Sequence, residues 1–93
     1  GSLVGDGKDP ALKIMFPPNG ARLELASAGG KPDPVALKVT GGVEPLTVLV
    51  NGLLVAGSFG KRTMFFEPDG PGFVRLTVID VKGATDSVMV RLQ

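Results

Sequence analysis

Along most of this chain apolar and polar residues alternate with a period of two, and that period constrains the fold more than any other property. In the segment 35–40, Val35, Leu37 and Val39 fall on one face while Ala36, Lys38 and Thr40 fall on the other. The same pattern puts Leu46, Val48 and Val50 on one side of 46–51, and Val74, Leu76 and Val78 opposite Arg75 and Thr77 in 73–80. It recurs in 87–92, where Val88, Val90 and Leu92 oppose Ser87 and Arg91. With 12–16, 21–25 and 63–67 the count is about seven strands. No stretch of useful length carries a 3.6-residue period, so a helix would have no apolar face to bury.

The connections carry turn chemistry. Pro17-Pro18-Asn19-Gly20, Gly41-Gly42-Val43-Glu44-Pro45, Asn51-Gly52, Pro68-Asp69-Gly70-Pro71-Gly72 and Asp80-Val81-Lys82-Gly83 each combine residues that preset φ, tolerate positive φ or bond their own backbone. Structural turn roles therefore fall to Asn19, Gly20, Asn51, Gly52, Pro68, Asp69, Gly70, Gly72, Asp80 and Gly83. Asn51-Gly52, flanked by apolar runs, is the sharpest hairpin signal, because a two-residue turn needs positive φ at both positions. Short strands punctuated in this way, in a chain of 93 residues, predict an all-β, immunoglobulin-like β-sandwich. Residues 1–11 read as a tag and linker remnant and 12–93 as one Ig-like domain, since Gly1-Ser2 looks like an expression scar and no pattern follows it. The segment 26–34 is expected to be a mobile loop.

Composition narrows the chemistry. The chain has no His, Cys, Trp or Tyr, which removes the commonest general base, thiolate chemistry and most zinc ligand sets. Its net charge is +1 and the basic residues are scattered, so nothing marks a nucleic-acid footprint. The longest apolar runs are broken at Asn51-Gly52 and fall short of a membrane span, so no membrane contact by this domain is expected. No calcium-loop pattern occurs, and no metal or cofactor is expected.

Ser58-Phe59-Gly60-Lys61 has the S-x-x-K spacing with which some serine acyltransferases set a lysine beside a nucleophilic serine. That pairing works on a helix, where one turn returns the amine over the hydroxyl. Here Gly57 and Gly60 bracket the serine and strands flank the segment, so it reads as a connecting loop and no catalytic residue is assigned. The acidic residues Asp69, Asp80 and Asp86 read as turn caps. Of the five Phe residues, Phe65 and Phe66 are adjacent in a strand, so one must face outward. Phe59 and Phe65 are the candidate ligand-binding surface residues.

Taken in order, three motifs resemble the C-terminal domain of bifunctional penicillin-binding proteins of type 1C. They are the Ile14 to Gly20 turn with its Pro and Asn-Gly, the G-x-x-P-L…V-N-G run at 42–52, and PDGPG-x-x-x-L-T-V-x-D-x-x-G-x-x-x-x-V-x-V-x-L at 68–92. Val48 and Phe66 stand where that family tends to place tryptophan. The resemblance implies a peptidoglycan synthase whose transpeptidase and glycosyltransferase domains lie upstream, on the periplasmic side of the inner membrane. It further implies that the catalytic serine lies there and not in this chain. The expected function is that of a non-catalytic accessory or interaction domain, with the upstream domains or periplasmic proteins as partners. The alternative is a peptidoglycan- or glycan-binding module.

Overall fold

The computed structural model describes residues 11–25, 27–28, 31–58 and 62–93. All regular structure in it is β. The strands are β1 (Lys13–Phe16), β2 (Arg22–Leu23), β3 (Ser27–Ala28), β4 (Lys31–Pro32), β5 (Val35–Thr40), β6 (Leu46–Val50), β7 (Leu53–Ser58), β8 (Thr63–Phe66), β9 (Gly72–Ile79) and β10 (Thr85–Leu92). One sheet has the order β1-β5-β8 and a larger one the order β2-β10-β9-β6-β7, while β3 and β4 form a separate two-stranded ribbon.

The inward residues of β5, β6, β9 and β10 are those of the period-two reading, with Val35 and Val50 only partly buried. Ile14, Leu37, Val39, Met64 and Phe66 from the smaller sheet meet Leu46, Val48, Leu76, Val78, Val90 and Leu92 from the larger in one buried cluster. Leu46, Leu76 and Val78 are wholly inaccessible. A fully buried Leu or Val contributes about 1.5–3 kcal/mol relative to exposure. The outward residues of β9 and β10 are polar or charged at Arg75, Ser87 and Arg91, as a sheet with one wet face requires.

β2 is the exception to antiparallel pairing. It runs parallel to β10, with Arg22 opposite Arg91 and Leu23 opposite Leu92. The ladder extends past the strand on both sides through Gly20 N–H to Met89 O (2.7 Å), Arg91 N–H to Ala21 O (2.9 Å), Gln93 N–H to Leu23 O (2.9 Å) and Leu25 N–H to Gln93 O (2.8 Å).

Three expectations are corrected. The strand count among the described residues is ten rather than seven, one of the three additions being Leu53–Ser58, which pairs with β6 where no strand had been assigned. Those residues lack apolar–polar alternation, since Leu53, Leu54 and Val55 are all exposed on an edge. The segment 26–34 contains the β3–β4 ribbon, with Ser27 opposite Pro32 and Ala28 opposite Lys31. Ser58 is the last residue of β7, paired with Leu46, rather than part of a loop.

Candidate functional site

The turn residues singled out by sequence lie at both ends of the larger sheet, the Asn51-Gly52 turn level with Arg75 and the Asp80 turn beyond Ile79 at the opposite end. Asn51 and Gly52 join β6 to β7 with φ of 53° and 83°, the mirror-image turn that a tight hairpin demands. Asn51 also bonds across the sheet: its Oδ1 accepts Arg75 N–H at 2.9 Å and its own N–H donates to Arg75 O at 2.8 Å. Asn19 does the same at the other side of the sheet, where its Oδ1 accepts Met89 N–H at 2.8 Å beside the Gly20 bond to Met89 O. Each asparagine thus extends a ladder by one side chain.

Asp80 holds the corner. It is buried, and its Oδ1 accepts the N–H groups of Lys82 and Ala84 at 2.9 Å each, while Oδ2 accepts Val43 N–H at 3.0 Å. Burial raises its pKa, but bonds from Val43, Ala84, Lys82 and Gly83 outweigh it and hold the carboxyl below the ordinary carboxylate value. Gly42 packs against this corner with φ +73°; a Cβ there would lie 2.7 Å from Leu12 Cδ1 and 3.4 Å from Asp80 Cβ. Arg62 closes the same loop, bonding Gly41 O through Nη1 and pairing with Glu44 at 3.1 Å.

The other two carboxylates differ from expectation. Asp86 caps no turn: its Oδ2 accepts Ile14 N–H at 2.8 Å and so ties β10 to β1 of the opposite sheet. Asp69 is exposed and makes no hydrogen bond among the described residues, because Pro68 and Pro71 on either side leave the loop few N–H groups to offer.

Ser58 is the last backbone position of β7; the rest of that tetrapeptide, Phe59, Gly60 and Lys61, lies outside the described residues. Among the described residues no group of three acidic, His or Cys side chains could hold a metal ion. Among the described residues no helix is long and apolar enough to cross a membrane.

Two surface features remain. Phe65 is 65% exposed while Phe66 is buried, so the outward member of the pair is identified. Phe65 shares a groove of about 380 Å³ with Leu53 and Val55, at the side where edge strands β7 and β8 of the two sheets come together, and Glu67 and Asp69 stand at its end. The second feature, which sequence reading missed, is on the outer face of the larger sheet. Arg91 lies over the Phe73 ring at 5.5 Å, and Arg22 and Arg75 project from the strands on either side.

The chain is thus an all-β module of two sheets packed around one core. Residues 2–92 match the family model described as Penicillin-Binding Protein C-terminus, and the chain belongs to that family. No curated protein and no solved structure matches it.

Proposed function

We propose that this chain is a non-catalytic, immunoglobulin-like accessory domain of a bifunctional peptidoglycan synthase of type 1C, and that it positions the enzyme through protein contact on the periplasmic side of the inner membrane. The observation that carries the interaction reading is the apolar strip of Leu53, Val55 and Phe65. Leu53 is 71% exposed on an edge strand without Pro or a charged residue, and natural proteins rarely leave such an edge bare. Backbone groups of β7 can accept an added strand while Phe65 and Leu53 supply apolar contact.

The test mixes the domain with separately prepared upstream transpeptidase and glycosyltransferase domains and follows association by analytical ultracentrifugation. Association that is lost in Leu53→Lys or Phe65→Ser supports the reading. Absence of association with those domains, or acylation of Ser58 by a penicillin-type reporter, refutes it. Direct contact with peptidoglycan is the second reading, and the face of Arg22, Phe73 and Arg91 favours it.

A further inference from the structure

Like charges set directly opposite one another in a sheet repel, and sheets ordinarily avoid them. Yet Arg22 and Arg91 are direct partners in the parallel ladder of β2 and β10. On the next strand Phe73 is the partner of Arg91, and Arg75 follows two residues along on the same face, diagonal to Arg91. All three arginines are exposed. Glu24, the nearest acidic residue along β2, pairs with none of them among the described residues, where the one ion pair joins Arg62 to Glu44.

Arg22 and Arg91 line a depression, and Arg75 stands outside it. A hollow of about 300 Å³ is lined by Arg22, Phe73, Met89, Arg91 and Asn19, and no acidic side chain enters its lining. Asn19 Oδ1 accepts Met89 N–H, so its Nδ2 remains as a further donor. Phe73 and Met89 form the apolar part of the hollow, and its polar side chains, those of Arg22, Arg91 and Asn19, present donors. Guanidinium groups bind carboxylates through paired parallel bonds, and an aromatic ring suits the apolar face of a sugar.

We propose that this outer face is a binding site for a peptidoglycan strand, with Arg22, Arg75 and Arg91 gripping the free carboxylates of its stem peptides and Phe73 lying against its sugar rings. The choice of occupant rests on the reading of the chain as part of a peptidoglycan synthase; the anion-binding chemistry follows from the charge and shape of the face alone. A carboxylate seated between Arg22 and Arg91 would turn their mutual repulsion into a shared attraction. This site is separate from the Leu53 and Phe65 groove, which lies at the edges of the two sheets.

The purified chain is sedimented with peptidoglycan sacculi, with sacculi whose carboxylates have been amidated, with phosphatidylglycerol vesicles, and with polyglutamate-coated beads. The chain is expected to pellet with intact sacculi. The R22Q/R75Q/R91Q variant should lose about tenfold in affinity or more, and amidated sacculi should release the wild type to a similar extent. High salt should weaken the binding, as it does for exposed charges. Equal retention of the triple variant, undiminished binding to amidated sacculi, or no pelleting of the wild type would each overturn the proposal. Pelleting with vesicles or with polyglutamate but not with sacculi overturns it as well, and assigns the face to lipid or to an acidic protein. Circular dichroism reports whether the triple variant folds. Should it not, the three single substitutions decide, each expected to cost about threefold. Leu53→Lys is expected to pellet like the wild type, so a failed sacculus site and a failed protein contact are told apart.

Discussion

At the Asp80 corner one carboxylate gathers backbone N–H groups from two loops, whereas at the β7 edge apolar side chains face solvent. In the corner one carboxylate receives the N–H groups of Val43, Lys82 and Ala84, Arg62 binds the loop from outside, and Gly42 leaves room for Leu12. On the edge Leu53, Leu54 and Val55 are exposed, and Phe65 adds its ring nearby. The corner is built so that one loop conformation is stable. The edge contributes little to stability and is therefore open to use in binding.

Substitutions should separate the two regions by the size of their effect on folding. Asp80→Asn is expected to be the most damaging, because its amide would turn a donor toward Val43 N–H. Thermal denaturation should show a fall in Tm of about 15 °C. The same carboxyl gives the wild type its acid limb. Its folded pKa is lowered, so the stability it contributes is full above the ordinary carboxylate value and is lost as pH falls through the depressed one. Tm measured against pH should hold through that ordinary range and drop below it, and the Asp80→Asn variant should show a flatter decline.

Gly42→Ala comes next, since the new methyl would crowd Leu12 and hold an unfavourable positive φ. Chemical denaturation should record a loss of about 2 kcal/mol. Asn51→Ala removes the acceptor for Arg75 N–H and the residue best suited to φ 53°, and should cost about 1 kcal/mol in the same assay. Phe65→Ser should change stability by no more than about 0.5 kcal/mol while abolishing association with the upstream domains. A large stability loss at Phe65, or a small one at Asp80, would erase the contrast between the two regions.

The core was legible because burial and the period of two are the same fact seen twice. Val39, Leu76 and Val90 alternate with Lys38, Arg75 and Arg91 since one face of each strand is wet. β7 was missed for the converse reason: as an edge it exposes apolar residues and shows no alternation. The Asn51-Gly52 signal held the correction, because a hairpin turn requires a second strand after residue 52. Asp86 shows another limit. Its proximity to a turn suggested a local cap, but the backbone that needed an acceptor was Ile14 on the other sheet. The arginine face was invisible for a similar reason, as only the parallel docking of β2 on β10 brings Arg22 beside Arg91. Long-range pairing of that kind leaves no mark in local spacing.

The position of β10 also sets an order of events. It is the last strand in the sequence, yet it lies between β2 and β9 in the larger sheet. A chain emerging from a ribosome or a translocation pore in the N-to-C direction can pair β9 with β6 and β6 with β7, but β2 has no partner until residue 92 has been delivered. Asp86 likewise cannot reach Ile14 before then. β2 must therefore wait unpaired while β1 can already pair with β5, and the non-local pairings place the domain among the slower folders of its size.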